Sequence, residues 1–178
     1  MNIQSQEITS PRLRLLPFTK STAHAILHGN LIGLRVAEGW PHDGTYRAIT
    51  MALEHERPLG WMITVQGTVI GDCGMKGEVD TAGMVEIGYG LAAPLWGRGY
   101  GTEAVAALTE WLLSRRGIVT VRACTEIDNV ASRRVLEKNS FTFRGLDADG
   151  HSVFERERAR AKARAKALRA AVQTTIPK

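Results

Sequence analysis

No apolar run in the 178 residues approaches the roughly 20 needed to cross a bilayer. The opening MNIQSQEITSPRLRLL also lacks an apolar signal core. Neither a membrane partner nor export is expected, and a cytoplasmic location is the default. Cysteine is scarce: Cys73 and Cys124 stand far apart, outside any C-x-x-C, within apolar strand-like segments. This argues against a thiol redox motif and suits reduced core residues. A G-x-x-x-x-G-K-[ST] loop is missing, which sets aside a P-loop nucleotidase. His24 and His28 share a helical face but have no Glu between them and no third ligand, so no metal is expected.

Basic charge is scarce too once it is divided along the chain. Residues 155–178 hold eight Lys/Arg and two Glu, so of the net +5 the first 154 residues contribute −1. A domain without a positive field has no electrostatic footprint for nucleic acid. Residues 1–157 are expected to form one domain and 158–178 a basic, Ala/Arg/Lys-rich extension. In RARAKARAKALRAAV the cations alternate, so a helix there is charged on more than one face and stays solvated. Such a tail could add salt-dependent affinity for an acidic partner such as RNA.

Hydrophobic patterning supplies the order of elements. RLRLL (12–16) alternates as a short strand, and Thr19 offers an N-cap for a helix over roughly 20–28. Asp43 offers a second cap before YRAITMALEHE. WMITVQ, TVIGDCGMK and MVEIGYGLA are apolar, alternating and joined by short turns, which predicts an antiparallel meander. From Thr102, Val105, Leu108, Trp111 and Leu112 repeat at helical spacing. IVTVRACT is a buried strand, Asp128 or Asn129 caps a helix to about 139, and FTFRG and HSVFERE are two last strands. The sum is a mixed α/β (α+β) domain with a mostly antiparallel sheet of about seven strands and about four helices.

LWGRGYGTEA is the stretch that asks for an explanation, because Gly97, Gly99 and Gly101 alternate directly against a helix start. A helix N-terminus leaves N–H groups unpaired and draws anions, and alternate glycines let a phosphate reach the backbone. Arg98 adds a mobile cation. The spacing is G-x-G-x-G rather than G-x-G-x-x-G, and the preceding strand closes a meander, which disfavours a dinucleotide fold. A pyrophosphate site between an antiparallel strand and a central helix remains.

The blocks MVEIGYGLAAPLWGRGYGTEA and IDNVASRRVLEKNSF, in this element order, resemble the GNAT superfamily of acyl-CoA-dependent N-acyltransferases. Within it they are similar to the branch of ribosomal-protein N-terminal acetyltransferases. The superfamily signature is written Q/R-x-x-G-x-G/A, and here Trp96 fills its first position. The resemblance implies acetyl-CoA as co-substrate, with the amides of Gly97, Arg98, Gly99, Gly101 and Thr102 on its pyrophosphate. It also implies pantetheine pairing with the strand ending at Leu91, carbonyl polarisation by main-chain N–H groups near Tyr89 to Leu91, and Asn129 and Ser132 on the far side of that arm.

Acyl transfer to an amine needs a base more than an acid, since amine pKa values lie at about 8–10 and the leaving thiol at about 8.5. Glu86 is the candidate base and acceptor contact, with pairing to a neighbouring cation as its structural alternative. Where family members carry a tyrosine on the last helix as general acid, this chain has Leu136. Thiolate protonation then falls to Ser132, Tyr100 or water. Trp40 and Trp61 would line the acceptor side in the family layout, although tryptophan is more often core. The acceptor is a protein N-terminus or a small amine; the alternative is an acyl-CoA-binding regulator without turnover. Nothing in the residues favours a monomer over a dimer.

Overall fold

A computed structural model describes residues 6–55 and 60–159; the basic extension predicted from 158 lies almost wholly outside the described residues. Its elements are β1 (Ile8–Thr9), β2 (Arg14–Pro17), α1 (Lys20–Leu27), β3 (Arg35–Val36), α2 (Asp43–Glu54), β4 (Trp61–Val65), β5 (Thr68–Met75) and β6 (Met84–Leu91). A 3₁₀ turn (Ala93–Leu95) leads to α3 (Tyr100–Ser114), β7 (Thr120–Thr125), α4 (Val130–Lys138), β8 (Thr142–Leu146) and β9 (Ser152–Glu157). The expected order is found. The strand count rises to nine because β1 and β3, each two residues long, are too short to show alternation in sequence.

One sheet runs β1-β2-β4-β5-β6-β7-β9-β8, with β3 pairing in parallel to the start of β5. Every neighbour pair on the main path is antiparallel except β6 with β7. The alternation seen in sequence sorts the side chains onto two faces. On one, Val85, Ile87, Ile70 and Cys73 pack against Ala104, Val105, Leu108 and Leu112 of α3 and Leu136 of α4. On the other, Met62 and Val69 pack against Ala23 and Ile26 of α1, Ile49 of α2 and Trp40. Cys73 is buried in the first core and its thiol is pushed far up by burial, so it is inert packing.

Caps fix where the helices begin. Thr19 accepts from Thr22 N at 3.0 Å, as expected. At α2 the cap is His42 rather than Asp43: its Nδ1 accepts from Thr45 N at 3.1 Å, and Asp43 becomes the first helical residue. There its negative charge suits the positive helix end. Asn129 Oδ1 accepts from Ser132 N at 3.0 Å and caps α4. The helix α3 starts two residues earlier than its apolar spacing suggests, on Gly99, and has no side-chain cap. No helix among the described residues is long and apolar enough to cross a membrane.

Candidate active site

The site begins where the sheet parts. β6 and β7 pair from Met84↔Thr120 to Ile87↔Ala123, after which β6 continues to Leu91 paired with β5 but not with β7. Lys76 N donates to Glu86 O and Ala92 N to Ile70 O, so the even-numbered residues of β6 direct their main-chain groups to β5. By the alternation of antiparallel ladders, Tyr89 and Leu91 turn theirs the opposite way, into the gap left by β7. The indole N–H of Trp96 donates to Leu91 O at 2.8 Å. Of the main-chain groups expected to meet pantetheine, the Leu91 carbonyl is therefore already engaged. This gives a function to the Trp96 that departs from the family signature.

At the end of that gap stands the uncapped start of α3. Gly97 and Gly99 take left-handed conformations, φ 73° and 80°, which side chains rarely adopt. The first intrahelical bond is Glu103 N to Gly99 O, so the N–H groups of Tyr100, Gly101 and Thr102 have no intrahelical partner. Three such donors beside left-handed glycines fit a pyrophosphate. The loop is held from behind by Arg12. Its Nη1 donates to Arg98 O at 3.1 Å, its Nε to Glu103 at 2.6 Å, and its guanidinium lies 4.7 Å from the centre of the Tyr100 ring. Sequence reasoning missed Arg12 and Glu103, which are 91 residues apart. Burial raises the Glu103 pKa, but bonds from the Arg12 N–H, the Ser10 hydroxyl and the guanidinium outweigh it and hold the pKa below the usual range.

That sign sets a pH dependence: the contribution of Glu103 is present above the unfolded glutamate pKa and lost as pH falls through the lower folded value. Replacing Glu103 with Gln releases Arg12 and loosens the Arg98 carbonyl. The expected result is a rise of about tenfold in the dissociation constant of a pyrophosphate-bearing ligand, the equivalent of one charge-assisted hydrogen bond, measured by titration calorimetry.

Across the gap, the Tyr89 and Ser132 hydroxyls lie 2.8 Å apart, joining β6 to the first turn of α4. Burial pushes the Tyr89 pKa up to about 12 against the opposing effect of that bond. Tyr89 thus stays protonated at neutral pH. Asn129, the residue immediately before α4, spends its side chain on the cap. Leu136 is fully buried, so that place on α4 has no access to the gap.

On the α1/α2 face of the sheet, the even positions of β6 and β5 form a strip: Asp72 beside Gly90, Gly74 beside Gly88, then Lys76 beside Glu86. Glu86 is in register with Arg122 and pairs with Lys76 at 2.9 Å. No register shift interrupts the pairing of β6 with β5 or β7, and Glu86 keeps its place in the alternation. Asp72 is 8% exposed, and its Oδ2 accepts from Trp40 Nε1 at 2.8 Å and Thr45 Oγ1 at 2.5 Å. Burial raises its pKa, while these bonds and the nearby His42 act the other way. The His42 ring lies over Gly90, where a Cβ would sit 2.5 Å from Nε2. Trp40 is 4% exposed and Trp61 fully buried, so both are core, and Trp40 reaches the strip only through Asp72. Tyr100 lies beneath Arg12, on the cradle, while Ser132 is joined to Tyr89 across the gap.

A sheet that parts beyond Ile87 and Ala123, strand groups turned into the gap and a helix start without a side-chain cap together make up the site. The chain belongs to the GNAT acetyltransferase family: the model of the acetyltransferase (GNAT) domain matches residues 12–142. Acetyl-CoA is that family's co-substrate. The uncharacterized N-acetyltransferase YjdG of Bacillus subtilis is 28% identical over 127 residues, 66% of this chain and 76% of that protein. RimL, a ribosomal L7/L12 alpha-N-protein acetyltransferase solved with coenzyme A, superposes at TM-score 0.63 with 22% identity over 85% of this chain and 98% of its own. The aminoglycoside acetyltransferase AAC(6')-Ib with coenzyme A gives 0.59 and 21%, over 83% and 94%. At these identities the structures share the fold, the arrangement expected from the two sequence blocks.

Proposed function

We propose that this chain moves the acetyl group of acetyl-CoA directly to a primary amine, either a protein N-terminus or a small-molecule amine. The reading rests above all on the gap beyond Ile87 and Ala123, aligned with the uncapped α3. Gly97, Arg98, Gly99, Gly101 and Thr102 would hold the pyrophosphate, and Tyr89 N–H, Tyr89 C=O and Leu91 N–H the pantetheine. The N–H groups near the thioester would polarise its carbonyl. The Ser132 hydroxyl, oriented by Tyr89, would donate to the departing sulfur. We assign Glu86 to drawing the ammonium of the acceptor, and Tyr100 to supporting Arg12 over the cradle.

RimL and the aminoglycoside enzyme name the two acceptor classes that this fold serves. Thiol release from acetyl-CoA against N-terminal peptides, lysine peptides, polyamines and aminoglycosides tests the reading. Release with one class supports it and identifies the acceptor. Tight acetyl-CoA binding without release from any amine favours a binding protein. The basic extension would add affinity for an acidic partner such as RNA, seen as binding that weakens steeply with salt.

A further inference from the structure

Asp72 stands out among the carboxylates of the acceptor face, because its two oxygens are treated differently. Oδ2 is held by Trp40 and Thr45, and His42 Nε2, buried and without a hydrogen bond among the described residues, lies 3.7 Å from it. Since His42 Nδ1 accepts the Thr45 N–H, the neutral ring carries its proton on Nε2, toward the carboxylate. Among the described residues Oδ1 has no hydrogen bond and is not one of the buried unpartnered side-chain atoms, and 11% of the side chain remains exposed. One oxygen is anchored and the other is open. Asp72 is also beside Gly90, between the Tyr89 and Leu91 groups that face the gap.

We propose that Asp72 is the general base of the transfer, taking the first proton of the acceptor ammonium on Oδ1, directly or through one water. The freed nitrogen lone pair then forms the C–N bond at the thioester carbonyl carbon. When the C–S bond breaks, its electron pair goes to sulfur, and the second nitrogen proton passes to that thiolate to give the thiol. Asp72 returns its proton to solvent. Trp40 and Thr45 act as positioning residues: they fix Oδ2, leave Oδ1 for the acceptor and, with the nearby His42, set how readily the carboxylate takes a proton. Glu86 fits this step less well, since Lys76 engages its carboxylate.

The groups facing Asp72 are few. His42 lies before α2, Met62 on β4 and Gly90 on β6 bring no charge, and Lys76 with Glu86 is next along the strip, about 13 Å down the strand. Cys73 looks into the opposite core.

The inference rests on the transferase reading, and its test separates the two. With the amine that supports thiol release, Asp72→Asn should lower kcat at least about 100-fold, the usual scale of a lost general base, while the acetyl-CoA dissociation constant stays within about threefold. Thr45→Val removes one donor from Oδ2, so the acidic limb of the kcat/KM profile should move to higher pH, with activity recovered above it. An Asp72→Asn protein with more than a third of the wild-type kcat overturns the assignment while the transferase stands. A limb unmoved in folded Thr45→Val does the same, and decides the matter if Asp72→Asn fails to fold. A wild-type protein inert with every amine overturns the transferase reading and this one with it.

Discussion

Gly99→Val should raise the dissociation constant for acetyl-CoA at least about 100-fold, about 2.7 kcal/mol of binding free energy, in titration calorimetry. Gly99 holds φ 80° at the first position outside α3, and a side chain there costs about 1–2 kcal/mol of backbone strain. A Cβ would also come within 3.3 Å of Arg12 Nη2, on the guanidinium whose Nη1 holds the Arg98 carbonyl. The variant either moves the loop or displaces its support, and in both cases the N–H groups lose their common direction. Gly101 gives the contrast. It lies inside the helix, and a Cβ would meet Leu91 and Val135 at ordinary distances of 3.5 and 3.7 Å. Gly101→Ala should therefore bind acetyl-CoA within about threefold of wild type. Normal binding by Gly99→Val would remove the cradle from the proposed site.

The largest loss of stability is expected at Gly71. It faces Leu91 across β5 and β6, and a Cβ would lie 2.6 Å from Leu91 Cδ2 and 3.0 Å from Leu91 Cα, and closer still to the Gly90 carbonyl oxygen. Two of those atoms are backbone, so the strands themselves must separate. Gly71→Ala should cost about 3 kcal/mol or more, on the scale of overpacking a close contact, and lower Tm by about 6–12 °C in a thermal melt. The same displacement would carry Gly90 from beneath His42 and misdirect Tyr89 and Leu91, so residual activity should fall further than stability alone dictates. Gly77 has nothing within 4 Å of its absent Cβ, and Gly77→Ala should melt within about 2 °C of wild type. Equal melting points for the two alanine variants would contradict the close approach of β5 and β6.

Local chemistry made much of this molecule legible from its residues. Thr19 and Asn129 cap as their side chains imply, and the three runs of the meander fall within a residue or two of β4, β5 and β6. The glycine stretch marks a helix start left open. What escaped depends on contacts between distant parts of the chain. The Asp72 cluster joins residues 27 and 32 positions apart, and Tyr89 meets Ser132 across 43. Spacing cannot show such meetings. A signal for Asp72 was nevertheless present: a carboxylate within the otherwise apolar TVIGDCGM is costly unless donors await it. His42 was overlooked because Asp43 is the better N-cap by type, while the approach to Gly90 favours a ring one position earlier.

The short union of β6 with β7 has one more consequence. Four register pairs join the part of the sheet that carries the meander to the part that carries the last hairpin. A ligand laid along Tyr89 and Leu91 adds rungs to that join from outside the chain. Folding and coenzyme supply then become linked variables: a ligand at 100 times its dissociation constant adds about 2.7 kcal/mol to the stability of the whole molecule. In a cell, the lifetime of this protein against proteolysis would rise and fall with the thioester pool it draws on.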